Sequence, residues 1–204
     1  MSWMAMAEPQ GEERAGVVVD LDERAWLPRH AAGDGEAFAA LVAAYRRPVY
    51  GFLARTGVAP ASRDDLFQEI FMRVHGAAKS YDPSRPLRPW LFTIVVNTVR
   101  THFRGVGLRQ AMHTDAPDAD PPDPAPSAHD QAVARETAAW LESAISKLPL
   151  AHSEALVLSC IEGLEQQDVA TALGIPVNTV KTHVRRARMT LAHGLAERRS
   201  GERS

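Results

Sequence analysis

The stretch KTHVRRAR at 181–188 carries Lys181, Arg185, Arg186 and Arg188, with Thr182 and His183 among them. Cations at this density suit a polyanion. Arginine forks pair with the major-groove edge of guanine, asparagine pairs with adenine, and lysine serves phosphate as a point charge. Wound as a helix at about 100° per residue, Val177, Val180, Val184, Ala187 and Leu191 share one apolar stripe. Asn178, Thr182, Arg185 and Arg186 lie opposite, Lys181 and Arg188 flank the stripe on one side, and His183 flanks it on the other. A merely solvated helix mixes both signs of charge, yet no carboxylate occurs between 177 and 196. One face is built to dock and the other to meet DNA. The element before it, QQDVATAL at 166–173, reads as a short amphipathic helix ended by Gly174, with Ile175 and Pro176 in a turn. Helix, tight glycine turn and cationic helix make a helix-turn-helix.

A second set of donors lies upstream. On a helix over 90–104, Leu91, Phe92, Val95, Val96, Val99 and Phe103 turn inward. Trp90, Thr93, Asn97, Arg100, Thr101 and Arg104 share the other side, and the preceding loop carries Tyr81, Arg85 and Arg88. Cations for a backbone beside an aromatic ring are the means of holding single-stranded nucleic acid. Packing in the bundle is the competing role for Trp90. A third strip has the opposite character. On a helix over 62–78, Leu66, Phe67, Ile70, Phe71 and Val74 form the apolar face, and Asp65, Gln68, Glu69 and Met72 cluster away from it. That strip is either a protein-docking face or an ordinary solvated one.

These strips need helices to carry them, and the chain reads as helical in two blocks with little alternation of period two. Net charge divides the same way: −3 over 1–29, +4 over 30–104, −4 over 105–130 and +1 over 131–204. The segment QAMHTDAPDADPPDPAPSAHD at 110–130 is proline-rich and acidic, and reads as an extended tether. The expected domains are an N-terminal extension at 1–26, a helical domain at 27–106, a linker at 107–131, a helix-turn-helix domain at 132–198 and a tail at 199–204. Within them, helices are expected over 36–54, bent or interrupted at Pro48; 62–78, capped by Ser62; 90–104, after a loop at 81–89; 131–147; 152–162; 166–173; and from 177 past 190.

Several chemistries lack their residues. The single cysteine, Cys160, excludes a disulfide framework and sits in the apolar run ALVLSCI, where a buried structural thiol is expected. The sequence has no GxxxxGK[ST] phosphate loop, no metal-ligand cluster and no triad-like set. Neither an enzyme nor a cofactor is expected. With no apolar run near the ~20 residues of a membrane span and no signal-like start, the protein is expected in the cytoplasm, with no membrane insertion.

Three stretches in order carry a resemblance: DDLFQEIFMRVH, then YDPSRPLRPWLFTIVVNTVRTHFR, then LPLAHSEALVLSCIEGLEQQDVATALGIPVNTVKTHVRRARMTL. Together they resemble the extracytoplasmic-function group of bacterial sigma factors, over roughly 27–104 and 132–195. The resemblance implies an all-α protein of two small helical domains, region 2 and region 4. It implies that Asn178, Thr179, Lys181, Thr182, His183, Arg185, Arg186 and Arg188 read the minus-35 element. It implies that Tyr81, Arg85, Arg88, Trp90, Thr93, Asn97, Arg100 and Arg104 meet and open the minus-10 element, the loop capturing a flipped base. It implies that Asp65, Gln68, Glu69 and Met72 meet core RNA polymerase at the beta-prime clamp helices, with region 4 near the beta flap. The family's linker threads toward the RNA exit path, where Asp115, Asp118, Asp120, Asp123 and Asp130 would imitate a nucleic-acid backbone. A partner anti-sigma protein is also implied. One departure stands out: many relatives carry an aspartate near Thr101, where this chain reads NTVRTHFR.

Two alternatives use the same residues. A stand-alone helix-turn-helix regulator would leave 64–104 without a role. A sigma-like decoy for an anti-sigma protein would not need Arg185 and Arg186.

Overall fold

The computed structural model describes residues 23–107 and 128–201. Those residues form helices and the turns between them, with no strand among them. Helix α1 spans Trp26–Ala31, α2 Gly35–Arg55, α3 Pro60–Ala77 and α4 Leu87–Gly107. After the linker come α5 Ala128–Ser146, α6 Leu150–Leu156, α7 Gln166–Leu173 and α8 Val177–Gly201. The all-α expectation holds. The tether expected over 107–131 falls mainly on residues outside the described ones, and Asp115, Asp118, Asp120 and Asp123 go with it, but α5 already begins at Ala128 and includes Asp130.

The first unit packs α1 on α2, α2 on α3 and α3 on α4. Leu41, Tyr45, Val49, Phe52 and Leu53 of α2 recur at helical spacing and are all buried, facing the buried Ile70 and Val74 of α3 and Phe92 and Val96 of α4. Asp34 starts α2 by accepting the backbone N–H groups of Glu36 at 3.0 Å and Ala37 at 3.1 Å. Pro48 does not interrupt the helix. The carbonyl that loses its partner there is that of Ala44, an exposed residue that water can reach.

Other boundaries also differ. Helix α3 starts two residues before Ser62, because Pro60 occupies the first turn, where its missing N–H costs nothing. Asp64 therefore lies beyond the first turn and accepts the Tyr50 hydroxyl at 2.7 Å. Helix α4 begins at Leu87, taking Arg88 and Pro89 out of the expected loop. The first unit reaches back before residue 27: Trp26 is buried, and the Tyr45 hydroxyl donates to Glu23 at 2.8 Å. Helix α8 runs to Gly201 and so takes in residues 199–201 of the expected tail, whose last three residues lie outside the described ones.

In the second unit α8 lies across α6 and α7, burying Val180 and Ala187. Helix α7 ends at Gly174 with φ +64°, a left-handed cap that only glycine adopts without strain. The helix expected over 152–162 ends earlier, at Leu156, and continues as a π-helical turn over Val157–Ile161. The wider turn shifts the side-chain phase relative to an α-helix. Cys160 and Ile161 consequently face outward, and Cys160 is an exposed thiol that accepts Arg188 Nη2 at 3.2 Å, not the buried one expected.

The two units touch. Helix α4 packs on α7, α2 packs on α5, and one apolar cluster runs through both.

Candidate nucleic-acid interface

The cationic face of α8 exists because its apolar stripe is consumed by docking. Val180 and Ala187 are fully buried, and Val177, Val184 and Leu191 pack against the same core. Asn178, Lys181, Arg185, Arg186 and Arg188 are exposed, and Thr179 and Thr182 are half-buried. The Thr182 hydroxyl turns back to the Asn178 carbonyl at 2.9 Å. Gln166 at the start of α7 joins Lys181, Arg185 and Arg188 along an open groove. His183 departs from its expected role. Its ring lies 5.1 Å from that of His152, and its Nδ1 is buried without a hydrogen bond among the described residues. Burial, then the charges of His152 and Arg186, hold its pKa below the usual histidine range. It belongs to the packing of α8 more than to the cationic face.

The upstream strip divides sharply. Asn97 and Arg104 are exposed on α4, Arg104 donating to the Thr101 hydroxyl at 3.1 Å. Arg85 is exposed in the loop, 3.6 Å from Asp82. Tyr81, expected to meet DNA, is buried: its hydroxyl donates to the Arg85 carbonyl at 2.6 Å and its ring meets Trp90 edge-on. It braces the loop. Trp90 is half-buried against the core, and Thr93 bonds back to the Pro89 carbonyl.

Arg88 and Arg100 are each engaged by a glutamate in this arrangement, with side chains 40% and 31% exposed, for a reason that no helical wheel displays. Arg100 forks onto Glu154 of α6, with Nη2 at 2.7 Å and Nε at 3.0 Å, and its Nη1 donates to the Leu173 carbonyl at 2.7 Å. That carbonyl is one of the orphan acceptors at the end of α7. Arg88 reaches Glu162 at 2.5 Å and lies 5.9 Å from the ring centroids of Tyr45 and Phe92. A third pair, Arg55 to Glu142 at 2.8 Å, joins α2 to α5. In all three, the arginine comes from the first unit and the glutamate from the second. None of the three glutamates is predicted by the sequence reading. The signal for Glu154 is a carboxylate inside the apolar run HSEALVLS; its side chain is 1% exposed. Burial raises its pKa above the ordinary glutamate range, against the opposing pull of Arg100.

On α3, Asp65, Gln68, Glu69 and Met72 are all exposed on one side, Met72 at 60%. Glu69 pairs along its own helix with Arg73 at 2.6 Å. An acidic rim around an exposed methionine is a surface suited to a partner with basic and apolar groups.

Two helical units, the second ending in a helix-turn-helix with a bare cationic face, define a DNA-binding protein of the helix-turn-helix class. Sigma-70 region 2 matches residues 41–108, and sigma-70 region 4 matches residues 138–191. The chain belongs to the sigma-70 family of RNA polymerase sigma factors, in its extracytoplasmic-function group. It is 30% identical over 176 residues to the sigma factor CnrH of Cupriavidus metallidurans, covering 83% of this chain and 92% of CnrH. It is also 30% identical to the ECF sigma factor SigM of Mycobacterium tuberculosis, over 86% of this chain and 85% of SigM. The solved structure of CnrH in complex with the cytosolic domain of CnrY superposes with a TM-score of 0.64 at 28% identity, over 86% of this chain and 98% of that one. Among the described residues no helix is long and apolar enough to cross a membrane.

Proposed function

We propose that the chain is the promoter-specificity subunit of an RNA polymerase, and that it carries out recognition and opening with the surfaces above. Asn178, Lys181, Arg185 and Arg186 enter the major groove of an upstream element, the arginines and asparagine at base edges and the lysine at phosphate. Asn97, Arg100, Arg104 and Arg85 hold the separated strand of a downstream element. Opening needs no nucleotide hydrolysis on this reading, because captured bases and polymerase contacts supply its free energy. Asp65, Gln68, Glu69 and Met72 dock on core polymerase, the acidic rim steering toward a basic surface. The solved complex of CnrH with the cytosolic domain of CnrY supports a regulatory protein partner for this chain as well.

The observation that carries the reading is the bare cationic face of α8, exposed by the burial of Val180 and Ala187 on the opposite side. The test is run-off transcription with core polymerase, with and without the protein, on its own upstream DNA and a genomic fragment library. Defined start sites that need the protein are the expected result. DNA binding that is indifferent to polymerase would hand the chain to the stand-alone regulators.

A further inference from the structure

His183 is set apart from the cations around it on α8. Lys181, Arg185 and Arg186 are exposed, while the His183 ring faces that of His152 on α6, with centroids 5.1 Å apart and planes tilted by 46°. Its Nδ1 is buried with no hydrogen-bond partner among the described residues. An N–H at that place would be an unmet donor, so Nδ1 is a lone pair and the neutral ring carries its proton on Nε2. The surroundings oppose a second proton. The charges that act on the ring are those of His152 across the contact and Arg186 on its own helix, both positive. The carboxylates on the helices packed against α8 do not offset them. Glu154 of α6 is engaged by Arg100, Glu142 and Glu136 of α5 are engaged by Arg55 and Arg198, and Asp168 of α7 makes no bond to Nδ1.

We propose that His152 and His183 are positioning residues for DNA recognition: with His183 neutral, the facing rings set α8 on α6 in the register that aims Arg185 and Arg186 at base edges, and a proton on His183 costs sequence specificity. The proposal rests on the reading of α8 as the major-groove helix. Arg185 and Arg186 follow His183 by two and three residues, so a ring pushed out of its seat carries them with it. A bidentate contact to a base edge needs the guanidinium fork in one register, whereas a phosphate contact tolerates a shift. The expected sign is therefore unusual. A histidine facing phosphate strengthens DNA binding when it gains charge. Here the added proton leaves phosphate attraction in place and removes the discrimination between sequences.

The probe is a duplex selected from a random-sequence library by the full chain with core polymerase at neutral pH, set against an unrelated duplex of the same length. The ratio of the two affinities is read by anisotropy from neutral to mildly acid pH, with circular dichroism at each pH to show that the helices persist. The ratio should fall as pH drops below the usual histidine range, by at most about tenfold per pH unit for one proton. The unrelated duplex should be bound no more weakly. His183→Gln should hold the ratio constant over the same range. His152→Gln should move the decline to higher pH, because a like charge facing His183 is gone, and it serves where His183→Gln fails to fold. A ratio that is flat or rises with acid in the parent chain would overturn the positioning pair and leave the reading of α8 intact. A decline that persists in His183→Gln, or one that His152→Gln leaves unmoved, would do the same. Equal loss on both duplexes would mean general loosening of the fold and would also overturn it. A library in which no sequence is enriched would remove the reading of α8 and the proposal with it.

Discussion

Arg100→Ala should give the protein a pH dependence whose sign is set by Glu154. At neutral pH the substitution strands a carboxylate that is 1% exposed and removes two guanidinium arms and a helix-end cap. Stranding a buried charge costs about 3–5 kcal/mol. The lower half of that range is expected, because the parting of the two units would let Glu154 hydrate. Burial already raises the Glu154 pKa, and the hydrogen bonds and charge of Arg100 are what hold it down. Without them the folded-state pKa rises further above the unfolded value. A group raised in this way contributes stability that is complete below the unfolded pKa and is lost as pH rises through the folded one. The destabilisation by Arg100→Ala should therefore be largest near neutrality and shrink toward the ordinary glutamate range, each unit of difference in pKa being worth about 1.4 kcal/mol. Urea unfolding of the two proteins across mildly acidic to neutral pH measures it, and the difference between them cancels titrations they share. In the background of Glu154→Gln the pH term should vanish. A destabilisation equal at every pH would refute the claim that Glu154 is ionised, buried and held by Arg100.

Arg186→Ala should cost about 1–3 kcal/mol of binding at the upstream promoter element if the arginine makes a bidentate base contact; an equal loss on unrelated DNA, seen in a filter or anisotropy titration, would reduce it to a phosphate contact. Asp65→Asn with Glu69→Gln should weaken association with core polymerase and leave the circular dichroism unchanged; unaltered affinity would remove α3 from the docking surface. Gly174→Ala meets no neighbouring atom within 4 Å, yet holds φ +64°, so a loss of about 1–2 kcal/mol in thermal unfolding is expected from backbone strain alone. His183, whose folded pKa is depressed, contributes stability that is complete above the usual histidine range and is lost as pH falls from there through the lowered folded value; His183→Gln should flatten that acid-side decline in melting temperature.

Local periodicity made much of this protein legible. The spacing QQDVATALG fixes α7 to the residue, since its stripe, its glycine cap and the following proline all agree locally. The two faces of α8 follow from valine and alanine spacing against a run without carboxylates. The acidic strip of α3 and the inward face of α4 are read the same way. Boundaries failed where a local signal competed with another. Pro60 outweighed Ser62 as a start, Pro48 was absorbed into α2, and the wider turn at Val157–Ile161 moved Cys160 to the surface.

What the sequence by itself determined is which residues can share a helix face, because that depends on angles between neighbours a few positions apart. Only the tertiary structure decided which of those faces are free. By sequence Arg100 and Arg104 share the outward side of one helix and Arg88 sits in the loop before it, yet Arg88 and Arg100 end on glutamates 74 and 54 residues away and Arg104 does not. Tyr81 is a polar-tipped aromatic in a loop by sequence and a buried brace in the fold. Pairing over such separations depends on how two packed units are set against each other. No local rule carries that information, so the pairing of Arg88 with Glu162 and of Arg100 with Glu154 becomes visible only once the two units meet.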